Sequence, residues 1–272
     1  CKYRHKDFIY QRKLMLIYSI IIFVIQSSFM DLVLDIGNTR IKYAIFKDSV
    51  LINKGYSRGN ELEKTLKAFV GRINKLLIST VKPILGSQEI MFKKVCSNLY
   101  ILSSNLQMPF NIKYQTPQTL GSDRLALAAG ALLSFPKNPV LIIDIGTCMT
   151  FDFVNAESDY LGGAISPGLR MRLKALHNFT GKLPLIEPEQ PQDFIGLNTN
   201  DSILSGVING MLMEIDGIID CYKLRYPMVK TILTGGDMSF FDLKLKNSIF
   251  AEADILLMGM HFILEYNTNE IN

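Results

Sequence analysis

The segment Leu32-Val33-Leu34-Asp35-Ile36-Gly37 returns in the second half of the chain as Leu141-Ile142-Ile143-Asp144-Ile145-Gly146. Each copy reads as a buried strand that carries a carboxylate near its end and then turns on glycine. The first turn continues as Gly37-Asn38-Thr39 and the second as Gly146-Thr147-Cys148, and a second β-type run follows each, over 41–46 and 149–154. Glycine lets backbone N–H groups approach an anion, hydroxyls bond phosphate oxygens, and the carboxylate can hold a cation beside them. A single copy could equally be a hairpin whose Gly-Asn turn serves positive φ. Two copies, at the head of each half, predict related lobes facing each other across a nucleotide.

The periodicity around these repeats is that of a mixed-sheet α/β protein with helices over the sheet faces. In the first half the pattern predicts strands over 31–36, 41–46, 50–54, 75–81 and 100–102, with helices over 60–69 and 87–97. The second half repeats it with strands over 140–145, 149–154 and 160–165, then a helix over 168–177. A proline-bearing stretch, 182–196, reads as a loop. Asn198-Thr199 then caps a long helix with Ile203, Leu204, Val207, Ile208, Met211 and Ile215 on one face and Ser205, Asn209 and Asp216 opposite. A strand over 230–233 feeds Thr234-Gly235-Gly236-Asp237, and a helix over 256–266 closes the pattern. At 272 residues and 48% hydrophobic the chain is long enough for two cores. The divisions expected are a leader over 1–29, a first lobe over 30–138 and a second over 139–272.

The leader accounts for the charge. It holds five Lys or Arg against one Asp, a local +4 that equals the whole-chain formal charge, so residues 30–272 are neutral. A basic surface for nucleic acid is not expected. The apolar run over 14–25 is short for a membrane span and lacks a clear cleavage site after it. The preferred reading is that translation starts at Met30 and the leader is upstream frame read through, with a signal or anchor segment as the alternative. Four cysteines without a C-x-x-C pair, one of them in the leader, fit a reducing cytoplasm. The scattered histidines argue against structural zinc.

After Gly121-Ser122-Asp123-Arg124 the chain is apolar on nearly every side through Leu133. Such a helix is buried all round, within the monomer or between subunits, and its alanines favour a dimer interface. Asp123 at its start is the candidate base for a phosphoryl acceptor, and Arg124 can pair with a phosphate or a substrate carboxylate. The plainer alternative is that Ser122 or Asp123 only caps the helix. Two further glycine elements, Gly162-Gly163-Ala164-Ile165-Ser166-Pro167-Gly168 and Thr234-Gly235-Gly236-Asp237, suit close backbone approach to a nucleotide.

Taken in order, these elements and Asn198-Thr199 resemble type III pantothenate kinase, over Met30 to about Tyr266. The aspartate-glycine turns are shared across the acetate-sugar kinase, Hsc70 and actin superfamily; Gly-x-Asp-Arg and the Asn-Thr before the long helix narrow the resemblance. It implies two ribonuclease-H-like, actin-like ATPase lobes and ATP-dependent phosphorylation of pantothenate to 4′-phosphopantothenate, the first step toward coenzyme A. It also implies a cytoplasmic homodimer, Mg²⁺, and a monovalent cation, K⁺ or NH₄⁺. Carried over by position, Asp35, Ile36, Gly37, Asn38, Thr39, Arg40, Ile41, Lys42 and Thr147 would line ATP. Asp35 would hold Mg²⁺, Asp144 the monovalent cation, and Asp123 would accept the proton. Tyr114, Gly121, Ser122, Asp123, Arg124 and Thr199 would contact pantothenate, Thr199 from either subunit. Cys148 stands where a small residue such as alanine is more usual. The alternatives are another small-molecule kinase of this fold and a non-catalytic, nucleotide-binding transcriptional accessory protein.

Overall fold

The computed structural model describes residues 30–37, 40–58, 61–67, 69–80, 82–84 and 86–268. The expectations for the leader and for Asn38 and Thr39 lie outside them. The first repeat is β1 (Met30–Ile36), hairpinned to β2 (Ile41–Lys47) and β3 (Val50–Ser57). β4 (Ile73–Thr80) runs parallel to β1 on its other side, followed by β5 (Leu99–Ile101), so the sheet order is β3-β2-β1-β4-β5. In the second sheet the strands are β7 (Val140–Ile145), β8 (Cys148–Val154), β9 (Asp159–Pro167), β10 (Lys230–Thr234) and β11 (Phe250–Ala251). Their order, β9-β8-β7-β10-β11, is the first sheet's order again. Both repeated segments are therefore central strands with neighbours on each side, which is why they are apolar without alternation until the aspartate.

The sheets and helices stack in five layers, set by which way alternate residues point. Leu32, Leu34, Leu76 and Ile78 pack under α1 (Leu62–Lys67) and α2 (Gly86–Val95) on the outer face of the first sheet. Val33, Ala44 and Leu77 point the other way and meet Val140, Ile142 and Val154 of the second sheet across two central helices. These are α3 (Ser122–Ser134) and α6 (Ile255–Thr268). Leu141, Ile143, Phe151 and Phe153 face outward under α4 (Leu169–Asn178) and α5 (Thr199–Arg225).

Two expectations need correction. The apolar helix α3 is not left for a second subunit: Leu125, Ala126, Ala128 and Ala129 are sealed within this chain. Its small residues serve α6 instead. A Cβ on Gly259 of α6 would sit 1.9 Å from the Ala126 carbonyl, and one on Gly130 of α3 would sit 2.3 Å from the Ile255 carbonyl. The helices touch backbone to backbone, which only side-chain-free positions permit. In α5, Ser205 and Asp216 are buried rather than solvated. Asp216 accepts the backbone N–H groups of Lys246 and Asn247 and so ties down the segment before β11.

Two short strands escaped the sequence pattern because they span two residues each. One, β6 (Asn111–Ile112), adds to the outer edge of β9 in the second sheet although it precedes α3. The other is β11. Among the described residues one helix, α5, is long and apolar enough to cross a membrane by composition; half of that stretch is buried here, against the second sheet.

Candidate active site

β1 and β7 end at neighbouring points, and their aspartates share one electrostatic environment. Asp35 is buried, and burial raises its carboxyl above the ordinary range. Lys42, its cross-strand partner, and a hydrogen bond from Ser79 Oγ (3.0 Å) pull it back, while the charge of Asp123 raises it further. Asp144 is pushed up to about 6, first by burial and then by Asp123, Asp35 and Asp152, against the pull of Lys42. Three carboxylates from three different elements thus feel one another's charge, and Lys42 offsets two of them, Asp35 and Asp144.

The second glycine elements close on the same place. Gly235 has φ +106°, and a Cβ there would lie 2.5 Å from Asp144 Oδ1 and 2.4 Å from the Ile145 carbonyl. At Gly236 a Cβ would meet the Arg40 guanidinium, which crosses from the first lobe and stacks on Tyr56. Gly168 packs on the Gly146 and Thr147 carbonyls, and its N–H donates to Thr147 O at 3.2 Å. Thr147 itself is exposed beside them.

Gly121, not a side chain, is the N-cap of α3, and no side chain makes a cap hydrogen bond there. Asp123 Oδ1 instead accepts its neighbour's N–H, Arg124 N, at 2.8 Å. Ser122 Oγ lies 3.0 Å from Ser79 Oγ, which links the helix start to Asp35. Arg124 turns inward onto Asp152 in β8: Nε donates to Oδ1 at 2.8 Å, and Tyr160 Oη donates to the same oxygen at 2.6 Å. The ring of Tyr114 lies under the guanidinium, 5.8 Å away, and occupies the space that Gly162, at φ +100°, leaves free.

Of the residues expected at the site, Asp35, Arg40, Lys42, Gly121, Ser122, Asp123, Arg124, Tyr114, Asp144 and Thr147 come together here, with Ile36, Gly37 and Ile41 in the backbone of the first turn. Among the described residues Thr199 makes no hydrogen bond or ion pair with them. It lines a groove of about 860 Å³ between α4 and α5, with Arg172, Leu176, Phe179, Leu183 and Ile203. Ser79, Asp152 and Tyr160 are additions. The signal for Asp152 was available: an aspartate at the centre of the apolar run of β8, where a core residue belongs.

The carboxylates suit cations. Asp35 and Asp144 are enclosed groups of like charge with too few partners, and Gly235 leaves a cradle beside Asp144 that a methyl group would fill. Among the described residues no three acidic, His or Cys side chains form a ready cage. Mg²⁺ needs no such cage, being usually held by one or two carboxylates together with phosphate oxygens and water.

Two sheets of one strand order, with aspartate turns converging between them, define an ATP-dependent phosphotransferase of the actin-like fold. Solved structures agree on the fold. A Baf family transcriptional activator from Campylobacter jejuni superposes with TM-score 0.59 at 21% identity, covering 88% of this chain and all of that one. A 2-dehydro-3-deoxygalactonokinase protein from Sinorhizobium meliloti gives 0.55 at 10% identity, over 87% and 98%. Residues 31–221 match the family model for type III pantothenate kinase. The type III pantothenate kinase of Christiangramia forsetii is 44% identical over 248 residues, 89% of this chain and all of its own. That of Flavobacterium johnsoniae is 43% identical over 240 residues, 87% of this chain and 98% of its own. The chain belongs to the type III pantothenate kinase family.

Proposed function

We propose that this chain transfers the γ-phosphoryl group of ATP to the terminal hydroxyl of pantothenate, giving 4′-phosphopantothenate for coenzyme A synthesis, with Asp123 accepting the hydroxyl proton. The observation that carries the reading is the meeting of Asp35, Asp123 and Asp144, with Lys42 beside the first and last, because phosphoryl transfer asks a protein mainly for placement and charge neutralisation. Lys42 and Arg40 neutralise phosphate charge from the first lobe, and the Gly146-Thr147 and Gly235-Gly236 turns offer backbone N–H groups from the second. Mg²⁺ at Asp35 and K⁺ or NH₄⁺ at Asp144 would supply the remaining positive charge. Asp123 keeps Oδ2 free for the acceptor while Oδ1 is fixed by Arg124 N. The Arg124 guanidinium matches the pantothenate carboxylate, a feature that favours this acceptor over a neutral hexose.

The active form is a homodimer in which the second copy brings Thr199 to the acceptor. Supporting this, Thr199 is absent from the contacts among the carboxylates, and the groove it lines carries large exposed apolar residues at or near its mouth, among them Phe179, Ile195 and Leu197. The division near residues 138 and 139 separates the two sheets, with β6 and α6 each crossing back. The reaction takes place in the cytoplasm, where free thiols such as Cys148 stay reduced. ADP release measured with and without pantothenate, and with and without K⁺, tests the whole reading. Hexoses and acetate serve as control acceptors, and ADP release that ignores pantothenate would sink it.

A further inference from the structure

The centre of β8 carries a charge that stability does not explain. Asp152 is fully buried, with Ile142 and Gly163 as strand neighbours, and faces α3 on the side of the sheet that also carries Val154. Its Oδ1 takes hydrogen bonds from Arg124 and Tyr160, while Oδ2 lacks a well-directed hydrogen bond and has only the Thr150 hydroxyl, two residues along the same face, to draw on. Arg124 is also buried, and its Nη2 lies 2.7 Å from Oδ1 but off the hydrogen-bonding direction, so that nitrogen too lacks a well-directed hydrogen bond, with the Tyr114 side chain beside the guanidinium. Burial raises the Asp152 carboxyl and works against the Arg124 charge, which Asp152, Tyr160 and Tyr114 nevertheless sustain. A buried ion pair with unsatisfied atoms is often no more stable than an apolar pair of the same volume. A pair retained on these terms is explained by what it holds in place.

What it holds is the residue after Asp123. The backbone N–H of Arg124 fixes Asp123 Oδ1, and its guanidinium is confined between Asp152 and the Tyr114 ring. We propose that Asp152, assisted by Tyr160, is a positioning residue that sets the Arg124 fork for the carboxylate of the acceptor. The proposal rests on the pantothenate reading above and extends it to the sheet behind the site. Asp152 touches no substrate; it acts through Arg124, and its charge is the weakest of those felt by Asp144, so its loss weakens the acceptor side far more than the ATP side.

The test compares steady-state constants of Asp152→Asn, Tyr160→Phe, Arg124→Met and the apolar pair Arg124→Met/Asp152→Leu with those of the full-length protein. A misplaced recognition group costs up to about 10²-fold, so Asp152→Asn is expected to raise the pantothenate KM by roughly 10- to 100-fold while KM for ATP stays within about twofold. Tyr160→Phe, which removes one hydrogen bond and keeps the charge pair, gives a smaller shift in the same direction. The apolar pair should melt near the wild-type temperature and match Arg124→Met in pantothenate KM, because Asp152 has nothing left to position. Inhibition by pantothenyl alcohol, with a hydroxyl in place of the carboxylate, is unchanged in Asp152→Asn. The proposal is overturned if pantothenate and ATP constants rise together, if the Arg124 and Asp152 effects multiply, or if alcohol inhibition weakens as much as pantothenate binding. A wild-type protein that ignores pantothenate overturns the functional reading first, and this one with it.

Discussion

Asp144→Asn should make the resting protein more stable, and more so at higher pH. In the folded chain this carboxyl is pushed up to about 6 from an ordinary 3.8, chiefly by burial and then by the charges of Asp123 and Asp35. The folded state therefore holds the proton more tightly than the unfolded state does. Stability falls as pH rises from 3.8 through 6, and the penalty is complete above that window. At 1.36 kcal/mol per pKa unit the carboxylate costs up to about 3 kcal/mol at pH 8, and roughly half as much at pH 5, where the folded carboxyl is still mostly protonated. The residue keeps some surface open to solvent although protein encloses the carboxylate, so screening trims these figures. The neutral amide escapes the penalty. With about 2–4 °C per kcal/mol for a chain of this size, the variant should melt above wild type at both pH values, by at most about 6–12 °C at pH 8 and roughly half as much at pH 5. Melts run without nucleotide, in buffer free of Mg²⁺, K⁺ and NH₄⁺, measure the gap. Adding K⁺ should then stabilise wild type and not the variant. A gap of equal size at both pH values, or a wild type more stable at pH 8, would refute the reasoning.

Asp123→Asn should melt no lower than wild type, since it removes a charge that repels Asp35 and Asp144, while kcat falls about 10²- to 10⁴-fold; near wild-type turnover in a coupled ADP assay would remove Asp123 from its role. Gly259→Ala should destabilise the fold by about 1–3 kcal/mol or more in urea titration, since the added methyl meets the Ala126 carbonyl and Gly130 N, which are backbone atoms. Asp123→Asn and Thr199→Ala proteins, each weak alone, should recover about a quarter of wild-type activity after subunit exchange, because half the two-fold dimers would hold one intact site. No recovery despite proven exchange would place Thr199 in its own chain's site or outside any site.

Much of the architecture was legible because the signals were local. The aspartate turns repeat with flanking strands, and β1 and β7 read as continuous apolar runs because both faces are covered. The long helix α5 shows its buried stripe and its Asn198 cap, whose side chain accepts Asp201 N as expected. Where the reading failed, the missing information was non-local. The apolar helix α3 announced burial but not its partner. That partner is α6, more than a hundred residues later, and the glycines that admit it carry no periodic pattern. Ser205 and Asp216 looked solvated because polarity was all the sequence offered; their burial depends on the loop before α5 and the segment before β11. Thr199, which the resemblance groups with the acceptor residues from either subunit, opens α5 on the outer face of the second sheet, and the sequence does not say which subunit's site it serves.

The residue order was enough to specify two lobes of one plan, the carboxylates at the ends of their central strands, and the chemical types the reaction needs. These follow from periodicity and turn chemistry, which act over a few residues. Folding was required to bring Asp35, Asp123 and Asp144 together, with Lys42 beside the first and last, and to charge the middle of β8 with Asp152. Proximity between distant segments is what creates that repulsion and that ion pair, and neither exists in the extended chain.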